Sequence, residues 1–157
     1  MIIQNKVSNQ VVDNFLFILE VYKQIRPDFN QAIGEKNCSE NAYQTPNILD
    51  FNVFRDATQL LIPYIPYDLK LELFHIHLIS YYNQGHQRAH DHIATEDFSF
   101  ILYLSDSQDG HTCFFKENTI RIKPERGKII FFPSNIWHWA EANSGDKNLA
   151  VGALKKV

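Results

Sequence analysis

The sequence predicts a mainly β protein with helices at its N-terminal end, and three observations lead to this prediction. The chain has 157 residues, a length that suits one domain with a sizeable core. Its hydrophobic pattern has helical spacing before residue 70 and the character of short strands after it. Turn residues separate those strands at regular intervals, which favours a sandwich or a barrel with helices packed on one side. We therefore expect a single domain over residues 1–157, with a helical support over 1–69 and a β core over 70–157.

The N-terminal part predicts two helices with a loop between them. The first helix has one apolar stripe and ends before Pro27; the stripe consists of Val12, Phe15, Leu16, Leu19 and Tyr22. The stretch 30–46 is polar and is interpreted as a loop. A second helix is expected from about Asp50 to Pro63 and Pro66, with a buried face of Val53, Phe54, Ala57, Leu60 and Leu61.

The C-terminal part predicts seven strands, rich in β-branched and aromatic residues. They are expected over residues 71–82, 98–104, 111–115, 119–122, 128–132, 137–140 and 149–154. Turns are expected between them at 83–85, 109–110, 124–127 and 144–146, where glycine, proline, asparagine and aspartate collect.

Composition excludes several classes of function. The net charge of −3 argues against a general nucleic-acid binder. Cys38 and Cys113 have no metal-like spacing, which indicates reduced thiols in a cytosolic protein. The N-terminal residues lack the apolar core of a signal peptide, and no stretch is long enough to cross a membrane. We expect a soluble, cytoplasmic protein.

Three of the seven histidines are candidates for a metal site. His90 and His92 are two residues apart, so on a strand they would share one face, and His138 follows the hydrophobic strand 128–132. Two ligands from one strand and one from a distant strand can occupy one face of an octahedron and leave three positions open. His75 and His77 also share a strand face, and His86 and His111 stand near turns; we expect these four to be ordinary polar histidines.

The segments around these histidines resemble one family of enzymes. They are residues 82–85, 90–92, 98–106, 109–114, 123–134 and 145–147, together with His138. In this order they resemble the iron(II)- and 2-oxoglutarate-dependent dioxygenases, in the prolyl-hydroxylase-like branch with small bacterial and phage members. The resemblance covers about residues 72 to 154, and it implies a double-stranded β-helix, the jelly roll or cupin-like barrel.

The resemblance also implies roles for individual residues. His90 and His138 match the first and the distal iron ligands, and His92 would complete the set. Lys147 matches the basic residue that pairs with the far carboxylate of 2-oxoglutarate, because a buried carboxylate needs a cation. Tyr103 and Tyr82 match tyrosines of the cosubstrate pocket. The implied cofactors are Fe(II) and 2-oxoglutarate, with O2 as the second cosubstrate.

Position 92 departs from the family pattern. The family has His-x-Asp where this chain has His90-Asp91-His92, so three neutral ligands would hold the metal. The same residues also resemble a cupin, in which Glu96 would be the fourth ligand beside the three histidines and 2-oxoglutarate would not be used. A binding module without a metal is a third reading.

The partners follow from the resemblance only in part. A peptide or protein side chain is the first expectation for the substrate, and a small molecule is the second. A homodimer is a possible assembly. Neither nucleic acid nor a membrane is expected as a partner.

Overall fold

A curled antiparallel sheet dominates the computed structural model, which describes residues 1–27 and 39–157. Nine strands within these residues form the sheet, and every pairing between them is antiparallel. In chain order they are β1 (Ile3–Lys6), β2 (Ser39–Gln44), β3 (Leu71–His90), β4 (Phe98–Tyr103), β5 (Thr112–Phe115), β6 (Thr119–Ile122), β7 (Lys128–Pro133), β8 (Trp137–Ala140) and β9 (Lys147–Lys156). The sheet order is β1-β7-β4-β9-β3-β8-β5-β6, and β2 pairs with β3. The seven predicted strands and the mainly β class are confirmed.

Alternation along the central strands separates two hydrophobic cores. Ile76 and Leu78 of β3 face a core that includes the first helix. Ile79 and Tyr81 of the same strand face a second core inside the curl of the sheet. Since successive side chains point to opposite faces, one strand serves both cores. All six residues of β4 are buried for this reason.

Helix α1 (Asn9–Ile25) closes the outer core as predicted. Its buried residues are Val11, Val12, Phe15, Ile18, Leu19 and Tyr22. The helix ends at Arg26, because the residue before a proline is disfavoured in the α conformation. Phe15 is 1% exposed, and burying a side chain of this size contributes roughly 2–3 kcal/mol.

The second predicted helix is shorter and differs in its buried face. Helix α2 (Asn52–Thr58) continues directly into a 3-10 helix over Gln59–Tyr64 that contains Pro63. Leu61 is buried, but Val53 is 75% exposed and Leu60 is 36% exposed, so the expectation for those two residues was wrong. The change from α to 3-10 geometry at Gln59 alters the spacing that the prediction assumed for Leu60, whereas Val53 lies in the first turn of α2, on its exposed side. None of the helices in the described ranges is long and apolar enough to cross a membrane.

Part of the predicted loop 30–46 is a strand. β2 lies within it and pairs with β3, so the loop prediction was wrong for Ser39–Gln44. Residues 45–46 are irregular as predicted, and residues 30–38 lie outside the described part of the chain. β1 was also missed. Both strands belong to the predicted helical support, yet they join the sheet of the β core. The division of the chain at residue 70 stays a prediction.

The predicted turn at 83–85 is an irregularity inside one long strand. β3 runs from Leu71 to His90, and its pairing with β2 shifts register at this place. Gln84 has a φ of 67°, and a Cβ on Gly85 would lie 2.7 Å from the carbonyl oxygen of Asn41 on β2. The glycine therefore permits a close approach of two strands, where a turn was expected.

Candidate active site

Strand pairing brings His90 and His138 together. His90 is the last residue of β3, and it lies opposite His138 of β8 in the antiparallel register. His92 follows two residues later, beyond the end of the strand, and its backbone N–H donates to the carbonyl oxygen of Ser134. One ligand atom from each of the three side chains lies within 4.8 Å of the others. The strand ends before His92, so the expected shared strand face was wrong, but the three rings still converge.

Each of the three rings has its Nδ1 atom engaged. Nδ1 of His90 lies 2.8 Å from the carbonyl oxygen of Arg88, and Nδ1 of His138 lies 3.0 Å from that of Ile136. Nδ1 of His92 lies 3.0 Å from a carboxylate oxygen of Glu96. A carbonyl oxygen only accepts, so Nδ1 of His90 and His138 carries the proton. Nε2 then carries the lone pair, which is the tautomer that a metal requires.

The imidazoles are neutral near pH 7. Burial lowers the pKa of His90, and it lowers the pKa of His92 to about 4 and that of His138 to about 3. The neighbouring histidines lower the pKa of His92 and His138 further. His138 is 2% exposed and packs against the rings of Phe132 and Phe114. Three converging neutral imidazoles suit a divalent transition metal.

Glu96 lies behind His92 and outside the histidine cluster. Within the described residues, the group that can hold an ion contains only His90, His92 and His138. Burial raises the pKa of the Glu96 carboxyl group to about 8, while Ser99 and Thr95 beside it act in the opposite direction. The geometry is that of a carboxyl group that orients a histidine from outside the cluster, whereas the cupin alternative required a fourth ligand.

A buried cation lies at the start of β9. The Lys147 side chain is 0% exposed, and its Nζ donates to the carbonyl oxygen of Gly110 at 2.7 Å. The same atom lies 4.9 Å from the centre of the Tyr81 ring. Burial lowers the pKa of Lys147 to about 8, against the influence of Asp109 and Glu141. Among the described residues, no carboxylate lies within ion-pair distance of this ammonium group, which therefore suits an anionic ligand.

Tyr103 lies in the inner core, on the same face of the sheet. It is fully buried, and its hydroxyl group donates to Oγ1 of Thr112. Burial raises the pKa of Tyr103, so the hydroxyl group stays protonated. Tyr103 is paired with Leu149, which lies two residues after Lys147 on β9. Tyr103 and Lys147 thus belong to neighbouring strands that line the inside of the curl.

The structure does not place Tyr82 in this region. The Tyr82 side chain is 40% exposed, whereas the adjacent Tyr81 is 1% exposed, lies in the inner core and contacts Lys147. The two residues point to opposite faces of β3. The role of Tyr82 in the cosubstrate pocket therefore stays a prediction, and Tyr81 is the tyrosine that contacts Lys147. The residue types alone do not show which of two adjacent tyrosines faces inward. The alternation along the strand could have shown it, because Ile79 lies two residues before Tyr81 and shares its face.

Among the described residues the other four histidines do not belong to the cluster, although His92 is near enough to lower the pKa of His77. Nε2 of His75 and Nδ1 of His77 are 3.0 Å apart and form a pair of their own. His86 is beside Glu40, and His111 is beside Glu141. None of these four histidines belongs to a group of three or more possible metal ligands within the described ranges.

A family comparison identifies the same segment. The family model of the 2OG-Fe(II) oxygenase superfamily matches residues 76–153. This range contains His90, His92, His138, Tyr103 and Lys147. Among curated proteins, no sequence shows significant similarity to the chain.

Solved structures share the fold over almost the whole chain. A prolyl-4-hydroxylase from Pseudomonas putida has a TM-score of 0.72 and 18% identity, covering 99% of this chain and 92% of that one. The viral collagen prolyl hydroxylase of Paramecium bursaria Chlorella virus-1, a 2-oxoglutarate complex, has a TM-score of 0.71 and 18% identity, covering 99% and 96%. HygX from Streptomyces hygroscopicus, with nickel, 2-oxoglutarate and hygromycin B bound, has a TM-score of 0.71 and 13% identity, covering 100% and 82%. These likenesses confirm the double-stranded β-helix.

Proposed function

Because this chain belongs to the 2OG-Fe(II) oxygenase superfamily and is a 2-oxoglutarate-dependent dioxygenase, we propose that His90, His92 and His138 hold its Fe(II). We further propose that Lys147, with Tyr103, binds the far carboxylate of 2-oxoglutarate. The substrate would be hydroxylated at a C–H bond.

The convergence of three imidazole side chains, each with its Nδ1 atom engaged elsewhere, carries this proposal. Nδ1 is occupied in every ring, by a backbone carbonyl in two of them and by a carboxylate in the third. Three histidines that each bring one ring nitrogen within 4.8 Å of the others match the donor set of a metal that keeps further positions open. A chance cluster of histidines has no reason to show the same nitrogen free in each ring.

The buried ammonium group of Lys147 supports the cosubstrate assignment. Its only direct hydrogen-bond acceptor among the described residues is the Gly110 carbonyl oxygen, so further donor protons remain for a carboxylate. Tyr81 and Tyr103 line the same inner core and exclude water from it. A charge-assisted hydrogen bond is about twice as strong as a neutral one, and in this environment it would orient the dicarboxylate.

These positions assign a separate role to the metal, to the three histidines and to Lys147. With iron bound, the site would supply oxidising chemistry in which one oxygen atom of O2 converts 2-oxoglutarate to succinate and CO2 and the other is inserted into a C–H bond of the substrate as a hydroxyl group. The histidines present neutral lone pairs and keep their Nδ1 protons on fixed acceptors. Phe132 and Phe114 pack against His138 and limit the access of water from that side. Lys147 holds the cosubstrate at one end.

For the substrate we propose a peptide or protein side chain, with a small molecule as the second candidate. The likeness to two prolyl hydroxylases supports the first candidate, and the likeness to HygX with hygromycin B bound supports the second. A cytoplasmic location and a homodimer are further proposals. The buried, unpaired thiol of Cys113 is compatible with a reducing compartment.

The function is tested by iron-dependent turnover of 2-oxoglutarate. Succinate release is measured with Fe(II), ascorbate and O2 for the wild type, for His138→Ala and for His86→Ala. His86 lies outside the histidine cluster, so its variant is a matched control for the loss of an imidazole. We expect turnover in the wild type and in His86→Ala, and none in His138→Ala. Equal turnover in all three proteins, or none in the wild type, would contradict the proposal.

A further inference from the structure

The His92 ring is held differently from its two partners. In His90 and His138, Nδ1 donates to the backbone carbonyl oxygen two residues earlier in the chain, at Arg88 and Ile136. Both of those rings belong to strands that also fix the main chain. His92 stands beyond the end of β3, and the neighbour of its Nδ1 is a side-chain oxygen of Glu96 and not a backbone carbonyl oxygen.

A short turn places Glu96 at that nitrogen. The backbone N–H groups of Thr95 and Glu96 both donate to the carbonyl oxygen of His92, at 3.0 and 3.2 Å. The Thr95 hydroxyl group donates to the same oxygen. The turn brings position 96 back over position 92, in the i, i+4 relation of one helical turn. Its carboxyl oxygen then lies 3.0 Å from Nδ1 of His92, and the Glu96 side chain is only 7% exposed.

We propose that Glu96 is a positioning residue that fixes the tautomer and the ring orientation of His92 for metal binding. This inference rests on the proposed function, and it assigns to Glu96 a place outside the coordination sphere. A histidine ligand in a loop loses more rotational freedom on binding than one in a strand, so an outside restraint matters most at this position. Outer-shell partners of histidine ligands typically change metal affinity by about 10- to 100-fold.

The test compares two substitutions of Glu96 by their affinity for Ni(II), without cosubstrate or turnover. Glu96→Gln keeps an oxygen that can accept from Nδ1–H, whereas Glu96→Leu removes it. We expect Glu96→Leu to bind Ni(II) about 10- to 100-fold more weakly than the wild type, and Glu96→Gln to stay within about threefold. Glu117→Leu makes the same exchange at an exposed position and is the matched control, with affinity unchanged.

The same Glu96 substitution is also tested in a His92→Asp variant, which lacks the imidazole ring that Glu96 orients. In His92→Asp the side chain at position 92 has no Nδ1, so adding Glu96→Leu should no longer weaken Ni(II) binding. The 15N chemical shifts of the His92 ring give an independent readout in the metal-free protein. The Nδ1–H tautomer should dominate in the wild type and in Glu96→Gln, and a mixture of tautomers should appear in Glu96→Leu.

Three outcomes would overturn the inference. They are wild-type affinity in Glu96→Leu, a loss in Glu96→Gln as large as that in Glu96→Leu, and a persistent loss in the His92→Asp background. The second outcome would point to direct ligation by the carboxylate. If the wild type still binds Ni(II) through His138, any of these outcomes refutes only the role of Glu96 and leaves the proposed function intact. If the wild type binds no metal, the proposed function itself is refuted.

Discussion

Lys147 illustrates the cost in stability of a single buried charge, which we propose is retained for binding 2-oxoglutarate. The ammonium group is fully buried with one carbonyl acceptor and a ring beside it, and its pKa is lowered to about 8. A basic group whose pKa in the folded protein lies below its ordinary value opposes folding while it is charged. In this site the opposition is offset only when an anionic ligand pairs with the ammonium group.

Replacing Lys147 should therefore separate stability from function. We expect Lys147→Met to raise the free energy of unfolding of the unliganded protein at pH 7. The lowered pKa of Lys147 corresponds to about 3 kcal/mol, at 1.36 kcal/mol per unit of pKa. The expected gain is this amount less the contribution of the lost hydrogen bond to Gly110. The same variant should lose 2-oxoglutarate binding. Urea unfolding and calorimetric titration measure the two effects. Wild-type affinity for 2-oxoglutarate in Lys147→Met would refute the role of this residue.

The pH dependence of cosubstrate binding follows from the same pKa. Lys147 is charged below about pH 8 and neutral above it, so binding at higher pH must first take up a proton. We expect the affinity for 2-oxoglutarate to be about tenfold weaker at pH 9 than at pH 7, measured by anaerobic titration with the metal held saturating. Lys147→Arg, if it binds, should show no such decline, because arginine stays charged over this range. A flat profile in the wild type would contradict the assignment.

The site residues were predictable from sequence to different degrees. The three histidines and Lys147 stand out because their residue types and order match a family pattern. Tyr81 was not distinguished from Tyr82 by residue type, because both are aromatic, and the register irregularity near Gln84 interrupts the alternation just beyond them. Glu96 was visible as a candidate ligand, but its contact with Nδ1 of His92 depends on the turn between them.

β9 connects the cosubstrate pocket to both cores, and Gly152 shows how closely this strand is packed. A Cβ at Gly152 would lie 1.9 Å from Cε1 of Phe100, which belongs to the fully buried β4. Such a distance requires the ring or the strand to move. β9 carries Lys147 at its start, so its packing also bears on the site.

We expect Gly152→Ala to destabilise the protein by about 1–3 kcal/mol or more, as overpacking of a core does. Gly145→Ala is the matched control, because a Cβ at Gly145 would have no neighbour within 4 Å. Thermal unfolding of both variants checks the prediction. An unchanged melting temperature in Gly152→Ala would show that the contact between β9 and β4 is looser than described.

Strands differ in how clearly they can be predicted. The seven predicted strands are apolar or aromatic and are bounded by turn residues. β1 and β2 are short, and most of their residues are polar, as in Ser39–Gln44. They form strands because their backbones pair with β7 and β3. These partners are distant in sequence, so the local residue pattern does not predict the pairing.

The metal site joins parts of the chain that the fold holds together. His90 ends β3, His138 lies in β8, and His92 belongs to the segment that follows β3. The three side chains converge only in the folded state, so a metal that they bind should stabilise that state.

We expect Ni(II), at a free concentration about 100 times its dissociation constant, to raise the free energy of unfolding by about 2.7 kcal/mol. A chelator should reverse the gain. His138→Ala should show no gain under the same conditions, and His86→Ala should keep it. Equal stabilisation of His138→Ala would mean that the metal binds elsewhere.

The visible spectrum under anaerobic conditions shows directly whether the cluster of His90, His92 and His138 holds Fe(II) with 2-oxoglutarate bound to the metal. The protein is loaded with Fe(II), 2-oxoglutarate is added, and the difference spectrum is recorded. We expect a weak metal-to-ligand charge-transfer band in the wild type and in His86→Ala, and no band in His138→Ala. Bound Fe(II) with no band at saturating 2-oxoglutarate in the wild type would contradict the proposed function.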